Sequence, residues 1–176
     1  MRGHKEERIM DKKKILALDA LVFAALLAFD QWTKLLVIRY LKDRSAKVLL
    51  QGVLELQYLE NRGSAFGMFQ GQKLFIVTVD VLFMLILCWI VARIPQEKKF
   101  IKLHCLLMMV AAGGIGNLID RMRFDYVVDF ISFVLIHYPI FNVADIYIVI
   151  AVIVLFLLFV FVYREEDLKF LSLGRG

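Results

Sequence analysis

Residues 140–163 read IFNVADIYIVIAVIVLFLLFVFVY. Behind a short polar head, Asn142 and Asp145, no charged residue interrupts the run before Arg164. At 1.5 Å per residue a helix of this length crosses a hydrocarbon layer of ~30 Å. A helix apolar on every side needs lipid around it or a large protein core. The chain has 176 residues, too few for such a core around this segment and its equals. Three equals precede it: residues 15–38, 74–94 and 101–120. Hydrophobic residues make up 61% of the chain, beyond the usual share for a soluble domain. The pattern predicts an all-α membrane protein, a bundle of four transmembrane helices forming a single domain over 1–176. A basic segment before an apolar run also resembles a secretory signal, but no small-residue cleavage pattern closes the first run, which is read as a retained helix.

Charge sets the expected orientation. Thirteen of the twenty-two Lys and Arg residues lie before Ile15, around the turn between the second and third spans, or after the fourth. Basic residues concentrate in short cytoplasmic segments, so both termini are expected in the cytoplasm. The net charge of +5 is then a topology signal. Nucleic-acid binding would need a soluble basic face, which is missing. Cys88 and Cys105 sit inside apolar spans and suggest packing, with no disulfide framework. His4, His104 and His137 show no metal-binding spacing, so neither metal nor cofactor is expected.

The outward segment 39–72 contains VLLQGVLELQYLE at 48–60, whose β-branched and aromatic residues, broken at Gly52, suggest short strands on the membrane surface. It closes on NRGSAFG at 61–67, where Gly63 and Gly67 allow a tight turn after Asn61. A second outward segment, 122–139, carries Asp129 and receives no assigned structure. Ala112 and Gly116 stand four apart, a spacing suited to close helix packing.

Carboxylates in a span are costly and draw attention to function. Asp19 lies near Lys13 and Lys14 and is expected to pair with them or reach the interface. Asp30 precedes Lys34 by four residues, the favourable order for a helical ion pair. Asp80 should find a partner inside the bundle. Asn117-x-x-Asp120 and Asn142-x-x-Asp145 repeat one spacing at the outward ends of two consecutive, antiparallel spans. Each Asn and Asp shares a helical face, so four polar side chains can converge. Two readings stay open at this point: a network that only ties helices, or a catalytic pair. Two close carboxylates share a proton, and such a pair can activate water and protonate a leaving amine. Ser64 has no base nearby in sequence and sits in no GxSxG elbow. A proton-coupled transporter is the rival from another class, weakened by the lack of an inverted repeat.

Asp30–Lys34 (DQWTK), Asn61–Gly67 (NRGSAFG), Gly113–Arg121 (GGIGNLIDR), Val128–Phe130 (VDF) and Phe141–Asp145 (FNVAD) occur in this order on the four spans. In these blocks the chain resembles the lipoprotein signal peptidases, signal peptidase II. The resemblance implies an intramembrane aspartic endopeptidase that cuts diacylglyceryl-modified prolipoproteins before the lipidated cysteine. It implies Asp120 and Asp145 as catalytic and Asn61, Asn117, Arg121 and Asn142 as substrate-contacting. Asp30, Lys34 and Asp129, with Gly63 in its turn, would shape the site. The expected setting is the bacterial inner membrane, with the site near its outer face, membrane lipids around it and the chain a monomer.

Overall fold

The structure is a computed structural model that describes residues 11–63 and 68–172. Four helices in it are long and apolar enough to cross a membrane: α1 (Lys12–Leu41), α2 (Lys73–Arg93), α3 (Ile101–Phe124, preceded by one 3-10 turn) and α4 (Val143–Phe161). Three strands, β1 (Lys47–Leu50), β2 (Leu54–Asn61) and β3 (Val127–Phe133), form an antiparallel sheet in the order β1-β2-β3. The turn residues Ser64 to Gly67 lie outside the described residues.

Helix α3 is the hub. Of its most apolar window 56% is buried, against 11–17% in the other three helices, so α1, α2 and α4 turn most of their surface outward. Small residues let its neighbours approach. A Cβ added at Gly113 would lie 2.6 Å from the Ala144 carbonyl oxygen of α4, and one at Gly114 would lie 2.5 Å from Met84 Cε of α2. A Cβ at Gly116 would collide with the Asp30 carboxylate of α1. One glycine-rich turn therefore sets three helix contacts, and it does so beside the polar cluster. Further along, Phe100, Leu103, Leu107 and Val110 pack with Leu87, Ala151 and Leu158 into the apolar core of the bundle.

The third strand was not expected. Residues 127–133 read VVDFISF, with the first four buried. Val128 and Phe130 pack with Val37 beneath the sheet. Val127 and Asp129, on the opposite face, look into a cavity. A strand covered on both faces loses the apolar–polar alternation that marks a half-exposed one. Its start is fixed by Asp125, which ends α3 in the left-handed conformation (φ 66°) and pairs with Lys73 at the start of α2.

Two smaller expectations are corrected. Asp19 does not pair with Lys13 or Lys14. Its side chain turns inward to α3, where Oδ2 lies 2.9 Å from His104 Nδ1, both residues being buried. An inward carboxylate must find a partner in the bundle, and His104 supplies it. Cys88 faces outward from α2 instead of packing in the core.

Candidate active site

The helix ends nearest the sheet carry a connected set of buried polar groups. Asp30 on α1 reaches α4: its Oδ1 accepts from the Ala144 backbone N–H at 3.1 Å, one of the unpaired amides at the start of that helix. Its Oδ2 pairs with Lys34 Nζ at 3.1 Å, the expected i,i+4 bridge, here fully buried. Lys34 also pairs with Asp120 Oδ2 at 3.0 Å and donates to Asn117 Oδ1 at 2.9 Å. A lysine 2% exposed with three oxygen partners spends its donors on architecture.

Asp120 is correspondingly occupied. Its Oδ1 accepts from Gln31 Nε2 at 3.1 Å, and its Oδ2 accepts from the Val128 backbone N–H at 3.2 Å beside Lys34. It is 1% exposed and absent from the wall of the adjoining cavity. The spacing allowed Asn117, Asp120, Asn142 and Asp145 to converge, and in the structure Asp120 joins the other three through Lys34. Asn117, Asn142 and Asp145 do meet, but Asp120 faces α1 and the start of β3. The spacing of three puts Asn117 and Asp120 on one side of α3, and Lys34 lies between their side chains.

Asn142 organises the other half. It caps α4: its Oδ1 accepts from the Asp145 N–H at 3.1 Å, while Asp145 Oδ2 accepts from the Asn142 N–H at 3.0 Å. Its Nδ2 donates to Asp129 Oδ1 at 2.6 Å and to Asn117 Oδ1 at 3.1 Å. Asn117 Nδ2 in turn donates to Asp145 Oδ1 at 2.9 Å. A bridge between Ile131 and Phe141 brings the chain back beside β3, so that Asn142 arrives next to Asp129. From the other side, Asn61 on β2 donates to Asp129 Oδ2 at 2.8 Å and accepts from the Gly63 N–H at 2.9 Å.

Asp129 and Asp145 both line a cavity of about 560 Å³ bounded by α2, α3, α4 and β3. Both carboxylates take bonds from Asn142, one from its side chain and one from its backbone. Burial pushes the Asp129 carboxyl up to about 7, and the negative charge of Asp145 adds to the rise. The Asn61 and Asn142 amides and Lys34 oppose it without reversing it. Arg121 closes another wall, bonding Asp80 Oδ2 at 3.2 Å and the Gly63 carbonyl at 3.1 Å. Asp80 thus has its expected interior partner. The remaining wall is apolar, with Ile76, Val79, Ile140 and Ile148 among its residues.

Residues 22–161 match the family model described as signal peptidase (SPase) II, most of the chain. The chain belongs to the signal peptidase II family. Within it, a lipoprotein signal peptidase of Caldanaerobacter subterraneus subsp. tengcongensis is 40% identical over 144 residues, covering 81% of this chain and 96% of the relative. One from Streptococcus pyogenes serotype M1 is 35% identical over 156 residues, covering 89% and 97%. Two solved bacterial membrane enzymes share the fold. One has a TM-score of 0.71 at 22% identity over 91% of this chain and 94% of that one. The other has a TM-score of 0.70 at 23% identity over 91% and 100%. In this signal peptidase II chain, sequence spacing drew attention to Asp120, whereas the carboxylates that share the cavity with Asp145 are Asp129 and Asp80, the latter held by Arg121. Gln31 escaped notice as well, being an ordinary polar neighbour of Asp30 until the fold turns it toward Asp120.

Proposed function

We propose that the chain is an intramembrane aspartic endopeptidase that removes signal peptides from diacylglyceryl-modified prolipoproteins, with Asp129 and Asp145 as its reacting pair. The observation that carries this reading is the shared cavity: two carboxylates, linked through Asn142, open on one space beside an apolar wall. Asp120 is assigned to support instead. A carboxylate held by a lysine, a glutamine and a backbone amide, away from the cavity, has no route to a substrate carbonyl. This assignment departs from the role the family resemblance implied.

The chemistry follows from the proton inventory. With its carboxyl pushed up to about 7, Asp129 is the member of the pair that still holds a proton as the pH approaches neutrality. Asp145, both of whose oxygens accept N–H bonds, is the base. A water between them attacks the scissile carbonyl carbon and passes one proton to Asp145. Asp129 donates its own proton to the carbonyl oxygen as the tetrahedral intermediate forms. Collapse breaks the C–N bond: the oxygen returns its proton to Asp129, and the proton on Asp145 moves to the leaving amine. Both carboxylates end as they began. Asn117, Asn142 and Asn61 hold them in register, and Arg121 ties the Gly63 turn to the cavity rim.

The setting belongs to the same proposal: the inner membrane of a bacterium, both termini cytoplasmic, the site near the outer face and the chain acting as a monomer. The apolar outward faces of α1, α2 and α4 and the clustering of the sheet at one end of the bundle support it. The test uses purified chain in lipid with a diacylglyceryl-modified precursor peptide and the same peptide unmodified. Mass spectrometry should find one new amine end at the lipidated cysteine and no cleavage of the unmodified peptide. Cleavage of both alike, or at another bond, would remove the substrate assignment.

A further inference from the structure

The Asp19–His104 pair has no part in the reacting site, and its one hydrogen bond leaves two atoms over. Asp19 and His104 are 7% and 5% exposed, and Asp19 Oδ2 lies 2.9 Å from His104 Nδ1. Asp19 Oδ1 and His104 Nε2 are buried with them and meet no hydrogen-bonding group among the described residues. Polar atoms buried in this way are costly to leave unbonded. Both residues line a hollow of about 540 Å³ that shares no wall residue with the cavity of Asp129 and Asp145. Helices α1 and α2 each rest on α3 and hardly touch one another, so the hollow is a groove between them with α3 as its floor. Ile15, Phe23, Leu87, Val91, Met108 and Ile115 make its walls apolar, while Lys12 and Gln96 stand at the end remote from the sheet. From His104 to Ile115 the floor runs ~16 Å, about the depth of one leaflet of a hydrocarbon core.

We infer that this groove binds a free diacylglycerol from the membrane, its glycerol hydroxyl on the Asp19–His104 pair and one acyl chain along α3. The head must be neutral. A phosphate or carboxylate would be set against the Asp19 carboxylate, and an ammonium would share the groove with Lys12. The head must also donate, because Asp19 Oδ1 only accepts. A hydroxyl donates to Oδ1 and keeps lone pairs for Nε2 when that nitrogen carries a proton. Gln96 and Lys12 add N–H donors at the polar end of the groove, which suit the ester carbonyls of an acylglycerol and find no counterpart in a plain long-chain alcohol. The pair lies ~10 Å along α1 from Lys12, below the level of a hydrated headgroup. A chain moving from bilayer to groove exchanges one hydrocarbon surface for another, so preference for this lipid must come from the hydroxyl and the esters. Binding here does not depend on the proposed peptidase reaction.

The experiment places the full chain in phosphatidylcholine nanodiscs with a trace of diacylglycerol carrying a diazirine on one acyl chain. After illumination, mass spectrometry should find the label on residues 12–23 of α1 and 84–96 of α2. Unlabelled dioleoylglycerol should displace it at a concentration at least tenfold below that needed of its O-methyl ether, which keeps the esters but cannot donate. The same margin should separate it from oleyl alcohol, which has the hydroxyl and no ester. In Asp19→Leu/His104→Leu the margin over the ether should vanish. Cys88→Trp, which fills the groove from α2 and leaves the pair unchanged, should cut labelling at least fivefold. Equal competition by the ether would leave the pair to water alone and overturn the assignment. Equal competition by oleyl alcohol would overturn the choice of an acylglycerol, and label spread evenly over the outer faces of α1, α2 and α4 would overturn the site. These competition and labelling results come from the wild-type chain, so they decide the question whether or not a variant folds.

Discussion

Raising the pH should weaken the folded protein through Asp129, and Asp129→Asn should remove that weakness. The native carboxyl is pushed from 3.8 to about 7 by burial and by the charge of Asp145. Between those values the native state keeps a proton that the unfolded chain releases, so stability falls as pH rises and the loss is complete above about 7. At 1.36 kcal/mol per unit, the shift from 3.8 to about 7 corresponds to a ceiling of roughly 4 kcal/mol. Asp129 is 2% exposed, so solvent screening takes little from that figure. Asparagine keeps the shape and titrates nothing. The assay is unfolding in mixed detergent micelles from pH 4 to pH 8, wild type beside variant. The variant's advantage should grow with pH by up to ~4 kcal/mol, on the order of 10 °C in Tm for a chain of this size. An advantage that stays constant across the range would refute the buried, proton-holding state of Asp129.

Lys34→Met should cost about 3–5 kcal/mol, because it leaves Asp30 and Asp120 buried without their cation; unfolding titrations and the level of membrane-accumulated protein measure this. His104→Ala should cost about 1–3 kcal/mol by leaving the Asp19 carboxylate without its bond. The double variant Asp19→Leu/His104→Leu should recover most of that loss in the same assay, and additive losses would argue against direct coupling.

Sequence periodicity and length were enough for the four helices, because lipid-facing spans must be long and apolar. The Asn-x-x-Asp repeats also led to the end of the bundle where the buried polar groups gather, since a spacing of three places both residues on one helical side. They did not separate Asp120 from Asp129. Lys34 reaches Asp120 across the interface of α1 and α3, at a sequence separation no spacing rule covers. Asp129 arrives at Asp145 only because β3 pairs with β2 and the chain returns at Phe141. That strand was itself hidden by burial on both faces. The local signal that existed was a carboxylate between Val128 and Phe130: a strand that buries both neighbours on one face turns the acid to the other.

The most direct test of the reacting pair is cleavage rate per folded molecule for Asp120→Asn, Asp129→Asn and Asp145→Asn, each with its unfolding curve measured alongside. Asp129→Asn and Asp145→Asn should stay folded and lose turnover by a factor of at least about a thousand, the scale of losing an essential acid or base. Asp120→Asn should unfold more easily, yet its folded fraction should keep turnover within about a hundredfold of wild type. Near-normal cleavage by Asp129→Asn would contradict the assignment, as would complete loss of cleavage in an Asp120→Asn protein that unfolds like wild type.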